Sequence, residues 1–400
     1  MKVLLLSYRI PFPPNSGYPI VVYNTIKGLL SLDAEVTLFS LNPRKTWVEA
    51  EDIYDPVFSR ISFHSLTIDT DVNVWGAFMN IFTNESYNVS RFFQEEAVKM
   101  LEGILREQEF DVIQFEGLFV VPYLDIVKQN SKARLIYRAH NIESAIWERL
   151  ALSEKFAPRR RYLEFLASRL KQYETDQINR FDRIFAISEP DRLSIVKFGC
   201  KNPIDVFPVA VDLERYRCDL SKTSFPTLFH LGAMDWRPNK EGLEWFLDEV
   251  WPDIEALNKD LRFYIAGKNM QKQFFEYDSE NLIVEGEIFD AVEFMNSKSI
   301  MIAPLLSGSG MRVKIIEGMA MRRCIIATSY AAEGIDCRHG HNILIANTPD
   351  EFYRSILKCI VSPKIWREIG ENARRTIERD HEMYASAKRM FEVYTELTNL

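Results

Sequence analysis

Cysteine is scarce in this chain. Its 400 residues carry five (Cys200, Cys218, Cys324, Cys337 and Cys359), an odd number with no Cys-x-x-Cys spacing. That argues against a disulfide framework or a cysteine-ligated zinc module and fits a reducing compartment. Long apolar runs are missing as well. The short run that opens Met1-Lys-Val-Leu-Leu-Leu-Ser7 stops at a polar residue, and Arg9 follows. A signal sequence needs a longer apolar region ending in small residues, so a buried first strand is expected instead. No window approaches the ~20 apolar residues of a membrane span. A soluble, cytoplasmic protein is expected, with attachment to the cytoplasmic face of a membrane as the alternative. Basic residues are outnumbered, 49 Lys and Arg against 57 Asp and Glu, for a net charge of −8. That argues against a general nucleic-acid binder and does not exclude a local basic cleft. Several catalytic signatures are also absent. There is no Gly-x-x-x-x-Gly-Lys-Ser/Thr, no Gly-x-Ser-x-Gly and no His-Glu-x-x-His. Gly308-Ser-Gly310 runs on into Met-Arg-Val, so Gly-x-Gly-x-x-Gly is not completed. Phosphate-loop kinases, dinucleotide dehydrogenases and hydrolases of those types are disfavoured.

What is present is a globular composition, 47% hydrophobic and 26% charged, long enough for two domains. Strand and helix patterns alternate. Residues 2–7 read as a strand, 20–32 as a helix and 35–40 as a strand. The Pro-rich loop Arg9–Gly17 lies at the carboxyl end of the first strand, where open α/β sheets bind ligands. Further strands are expected at 61–68, 111–115, 134–137, 182–187 and 204–207. The polar segment 213–226 reads as a linker. A second series is expected at 227–231, 261–266, 281–284, 299–303, 324–327 and 342–345. The expected fold class is therefore α/β: two Rossmann-like doubly wound domains, 1–212 and 227–380, facing an interdomain cleft.

The most informative stretch is Pro304–Met321. It reads as strand end, glycine turn (Ser307-Gly-Ser-Gly310) and a helix over 311–321, with Val313, Ile316 and Ala320 on one apolar face. Arg312 and Lys314 then fall in the first turn, where the helix dipole disfavours cations unless an anion is bound. Glu317 shares a face with Lys314. Locally, an anion site and an ordinary βα turn with solvated charges both stand. Elsewhere, Glu116-Gly117 and Arg138-Ala-His140 follow strands. His140 reads as a cleft residue or as a side chain ordering the next helix. Segment 72–93 is aromatic (Trp75, Phe78, Phe82, Tyr87, Phe92, Phe93) and includes Arg91. It reads as core and lid, or as the face for an acceptor. Asp69-Thr-Asp71 has a metal-binding spacing but is short and common, and no metal site is assigned. Arg159-Arg-Arg161 reads as a solvated helix start, with contact to anionic lipid as the alternative.

These residues carry a resemblance. Ser307-Gly-Ser-Gly-Met-Arg-Val-Lys-Ile-Ile-Glu-Gly-Met-Ala320, with Ile325–Thr328 and Ala332–Ile335, resembles the donor-binding segment of family 4 GT-B glycosyltransferases. Leu231-Gly-Ala-Met-Asp-Trp-Arg-Pro-Asn239, Pro208–Asp212, Ala186–Ser188, Arg138–Asn141 and the loop to Gly17 resemble other parts of that family. The resemblance implies two Rossmann-like domains, with the last helix, about 381–400, packing back on the first. It implies transfer from a UDP- or GDP-type sugar donor, with retention and no essential metal or cofactor, to a glycan or lipid-linked acceptor. The donor would be held by Gly17, Ser309, Gly310, Met311, Arg312, Lys314 and Glu317. His140, Arg312 and Lys314 would be catalytic, and Arg91, Glu116 and Arg138 would lie on the acceptor side. Departures exist. Ser309 stands where the family's first motif glutamate is expected, and Arg237 and Lys240 are out of register with its usual cations. A non-catalytic nucleotide- or partner-binding subunit and a nucleotide-sugar epimerase using Glu116 and Glu143 are the alternative readings.

Overall fold

A computed structural model describes residues 1–71, 86–307 and 312–399. The chain divides into two compact units, Met1–Ala210 with Met383–Leu400, and Val211–Glu382.

The first unit is built on a sheet of seven strands: Lys2–Ser7 (β1), Glu35–Pro43 (β2), Ser62–Ile68 (β3), Val112–Glu116 (β4), Arg134–Ala139 (β5), Arg183–Ala186 (β6) and Ile204–Val206 (β7). Their order is β3-β2-β1-β4-β5-β6-β7, and neighbours pair in parallel. β1 and β4 are almost wholly buried, as expected of central strands covered by helices on both faces. One layer of core holds Leu4, Leu6, Phe115 and Tyr137, and the other Val3, Leu5, Ile26 and Ile136. The alternation follows from the two-residue period of a strand. The C-terminal helix Met383–Thr398 belongs to this unit. It closes on the helix Gly17–Leu30, where a Cβ on Gly28 would lie 2.4 Å from the Ala387 Cβ. Only a glycine lets the two helices approach so near.

The second unit has six strands: Thr227–Leu231 (β8), Arg262–Ala266 (β9), Leu282–Gly286 (β10), Ile300–Ala303 (β11), Cys324–Ala327 (β12) and Leu344–Ile345 (β13). Their order is β10-β9-β8-β11-β12-β13, again parallel. The segment 213–226, expected as a linker, is tied to this unit. Arg323, fully buried, donates to the Thr223 hydroxyl at 3.0 Å and lies 2.7 Å from the Cys218 sulfur. Two helices that the pattern did not delimit, Glu143–Ser153 and Pro349–Val361, complete the layers.

In each sheet the order reverses once, between β1 and β4 and between β8 and β11. The connections there leave in opposite directions and open a crevice at the strands' carboxyl ends. The candidate residues cluster at these two points.

Candidate active site

At the first reversal Ser7 and Glu116 face each other in register. The Pro-rich loop returns the chain so that the helix starts at Gly17. This places Tyr18 over the strand ends. Its hydroxyl lies 2.8 Å from Ser7 Oγ and donates to the Glu116 carbonyl oxygen at 3.1 Å. The Glu116 side chain is fully buried. Its Oε1 accepts from Gln114 Nε2 at 2.5 Å, and its Oε2 is 2.6 Å from His140 Nε2. Gln114 is fixed from behind, because its carbonyl oxygen accepts from the Tyr394 hydroxyl at 2.6 Å. A buried relay thus runs from the C-terminal helix through Gln114 and Glu116 to His140.

The electrostatics follow from this wiring. Burial alone would raise the Glu116 carboxyl, but the His140 hydrogen bond, the Arg138 charge and the Gln114 amide outweigh it and hold it below its ordinary range. Burial pushes the His140 imidazole below its ordinary value despite Glu116, and the Arg138 and Arg9 charges add to the depression. A neutral imidazole beside a carboxylate carries its proton on the nitrogen facing that carboxylate. Nε2–H therefore donates to Glu116, and Nδ1 is left as an acceptor. Aromatic rings wall the position: Tyr18 lies 4.7 Å from the His140 ring, and Tyr8 lies 4.1 Å from Tyr18 and 5.2 Å from Phe119.

The placement of Glu116 and Arg138 corrects the expectation that they face an acceptor. Both sit on paired central strands and are sealed inside the unit. Arg138 donates to the Thr25 hydroxyl at 2.6 Å. They support the His140 site from within. Arg91 donates to the Thr70 carbonyl at 3.2 Å and lies 5.5 Å from the Phe92 ring. Of the aromatic segment, Trp75, Phe78 and Phe82 fall outside the described residues. Asp69 and Asp71 are taken up by Arg44 at 3.7 Å and Lys45 at 3.0 Å.

At the second reversal the loop after β11 begins at Pro304. The calls on Ser309, Gly310 and Met311 lie outside the described residues. The helix starts at Val313, not Met311, so Arg312 is its N-cap and lies outside the first turn. The expectation of a single apolar face is also corrected. Every residue of Val313–Ala320 except Lys314 is buried, because the helix is enclosed by its own unit. A Cβ on Gly318 would lie 2.7 Å from Met301 Sδ. Arg312, 6% exposed, has its guanidinium 5.2 Å from the Trp236 ring and 5.5 Å from the Tyr330 ring. Attraction of the cation to both ring faces favours this placement of the guanidinium. Lys314 Nζ lies 2.6 Å from Glu317 Oε2. Glu317 Oε1 accepts from the Tyr216 hydroxyl at 2.5 Å. One cluster therefore presents two cations and a buried, oriented carboxylate.

Residues 16–215 match the family model described as Glycosyltransferase Family 4, and residues 225–361 match the one described as Glycosyl transferases group 1. The chain belongs to the family 4 glycosyltransferases.

This glycosyltransferase is similar over 99% of both chains, at 22% identity, to an uncharacterized 44.6 kDa protein in the cps region of Klebsiella pneumoniae. Its fold is shared with sucrose-phosphate synthase of Thermosynechococcus elongatus, with a TM-score of 0.72 at 12% identity over 99% of each chain. It is also shared with Anabaena HepE, solved in complex with UDP. That match has a TM-score of 0.64 at 14% identity, over 99% of this chain and 100% of that one. The two-domain GT-B architecture and sugar transfer as the activity class are thereby shown. Neither the non-catalytic reading nor the epimerase reading is favoured. Among the described residues of the glycosyltransferase, no helix is long and apolar enough to cross a membrane.

Several residues that complete the two candidate clusters of the glycosyltransferase went unread in its sequence. Tyr216 lay in a segment taken for a linker. Gln114 and Tyr394 are ordinary core positions by pattern. Trp236 stood inside a quoted motif without a role, and Tyr330 carried no signal. Each acts through a contact between residues far apart in the chain, and no local spacing encodes that.

Proposed function

We propose that this glycosyltransferase moves a sugar, with retention of anomeric configuration, from a nucleoside diphosphate-sugar of UDP or GDP type to a glycan or lipid-linked acceptor. The observation that carries this reading is the Arg312–Lys314–Glu317 cluster at the β8/β11 reversal. Arg312 and Lys314 suit the diphosphate, and Glu317 suits the ribose hydroxyls, which donate to a carboxylate. Structural neighbours lend support. HepE has been solved with UDP-glucose, and trehalose-6-phosphate synthase has been studied for glycosyl transfer with retention.

In the proposed reaction the bond from the anomeric carbon to the β-phosphate oxygen breaks. The acceptor oxygen bonds to that carbon on the same face, and its proton passes to the departing phosphate oxygen. No separate base is required. Charge grows on the leaving diphosphate, and Arg312 and Lys314 neutralise it without a metal ion. Each preorganised donor of this kind is typically worth about 3 kcal/mol. Glu317 is now held by Tyr216 and Lys314, so a bound ribose would share those contacts. In the first unit, His140 Nδ1 is free to accept from a hydroxyl of the transferred sugar. Gly17 and its loop are assigned to the donor as well.

Arg312→Ala and Lys314→Ala are each expected to cut transfer about a hundredfold while the thermal unfolding midpoint stays within a few degrees. Near-normal turnover by both variants with the true donor defeats the assignment. A thermal-shift screen against UDP, GDP, ADP and dTDP and their sugars identifies that donor.

A further inference from the structure

The Arg159–Arg161 cluster is not absorbed by the site. It lies on a helical hairpin of the first unit, made of Glu143–Ser153 and Ala157–Ile178 joined by three residues. The hairpin is closed at one end by the Glu174 carboxylate, which accepts from the backbone amides of Glu143 and Ser144 at 2.8 and 3.1 Å. That end adjoins the loop bearing His140. Midway, Lys171 and Glu148 tie the helices at 3.1 Å. The tip lies at the far end of the first helix, which is about 16 Å long at 1.5 Å per residue.

The tip is apolar where a solvated turn would be polar. Leu152 is 73% exposed, Phe156 66% and Leu150 39%. The arrangement is held rather than frayed. Glu154 accepts from the Phe156 amide at 3.0 Å and pairs with Arg159 at 3.1 Å, which fixes Phe156 as the N-cap of the second helix. Around it, residues 149–164 carry five cations (Arg149, Lys155, Arg159, Arg160, Arg161) against two carboxylates, Glu154 and Glu164. The three arginines sit at a helix N-terminus with no acidic residue in the first turn, against the helix dipole. This local excess of positive charge stands on a chain whose net charge is −8.

We propose that the hairpin tip docks this protein on an anionic lipid bilayer. Leu150, Leu152 and Phe156 enter the interface, and the arginine and lysine head groups meet the lipid phosphates. Exposed apolar side chains supply a term that salt does not screen. The cations supply one that it does, worth about fivefold in partitioning per basic residue near the surface. Long basic side chains lay their stems along the apolar tip and keep their charge at the headgroup level. The tip shares no residue with the donor cluster, so the proposal stands or falls independently of the transfer reaction.

The test is co-sedimentation of the full-length protein with vesicles of phosphatidylcholine alone and of phosphatidylcholine with phosphatidylglycerol. Binding is expected to the mixed vesicles, weakening as salt rises, and little to the neutral ones. The triple variant Arg159→Ala, Arg160→Ala, Arg161→Ala should partition about a hundredfold less at low salt, from about fivefold per cation. Leu152→Ser with Phe156→Ser should abolish the part that survives high salt. Thermal unfolding of both variants should stay within a few degrees of the parent, since the changed side chains are exposed and the ion pairs Arg159–Glu154 and Arg160–Glu164 are surface pairs worth little. No binding of the parent to the mixed vesicles, or parent-like binding by both variants, overturns the proposal. A concentration-dependent dimer that Phe156→Ser abolishes, without vesicle binding, assigns the tip to a second copy instead and also overturns it.

Discussion

His140 and Glu116 show how one buried contact settles the state of a catalytic candidate. The imidazole is kept neutral by burial and kept in one tautomer by the carboxylate. Glu116→Gln keeps the volume and removes the charge. The His140 pKa should fall further, because the favourable Glu116 interaction is lost, and NMR titration of the ring reads this directly. Transfer should drop by roughly 10- to 100-fold, the worth of a hydrogen bond to a charged group. Tyr394→Phe should give a smaller loss in turnover with donor affinity unchanged, since Tyr394 acts only by orienting Gln114. His230 makes a different residue-scale case. Its Nδ1–H donates to the Ile302 carbonyl at 2.9 Å, and burial pushes its pKa from 6.5 to about 4. The unfolded chain then binds the proton more readily than the folded one. Stability from this residue is fully present above about 6.5 and is lost as pH falls from there toward 4, by up to about 3 kcal/mol. The difference in urea stability between the parent and His230→Phe, measured at pH 7 and pH 4.5, should shrink in the acid. A constant difference sinks this account.

At the scale of elements, a close approach fixes the end of β11, where the candidate donor segment begins. Gly242 lies in the helix Arg237–Glu249, and a Cβ there would lie 2.3 Å from the Pro304 carbonyl oxygen. Pro304 opens the loop that leads to Arg312. Gly242→Ala must therefore move a backbone segment, not a flexible side chain. The expected cost is about 1–3 kcal/mol, as for other overpacked sites. Calorimetric titration should also show weaker binding of the nucleoside diphosphate that stabilises the parent. In the sequence, Gly242 heads an apolar stripe of Leu243, Phe246, Leu247 and Val250 at i, i+3, i+4, i+7 spacing. The stripe is real, and all five residues are buried. The reason for a glycine at its head lies in β11's outgoing loop, some 60 residues downstream.

At the scale of the whole molecule, the chain returns after the second unit to finish the first. Met390, Tyr394 and Leu397 enter the core with Val3, Leu5 and Ile26. Arg134 Nε donates to the Leu397 carbonyl at 2.9 Å. Removal of residues 383–400 should lower the first unit's stability by about 5 kcal/mol or more, from the loss of three large buried side chains. The second unit, which contains none of these residues, should keep its melting temperature. Two calorimetric transitions, one moved and one not, are the expected result.

Alternating apolar strands and amphipathic helices are local signals, so the strands of both sheets were legible in the sequence to within a few residues. The Lys314–Glu317 pair was legible for the same reason, since both residues lie within one helix. The family followed from those motifs. What only the tertiary structure decided was which side chains complete each site and which are sealed away. Glu116 and Arg138 lay beside His140 in pattern and turned out to be buried supports. Tyr216, Trp236 and Tyr330 turned out to hold Glu317 and Arg312. Tyr394 reaches His140 through Gln114 and Glu116 across some 250 residues of chain. Hydrogen bonds and stacking at that separation depend on where the sheets bring their strand ends, and periodicity along the chain carries no record of it.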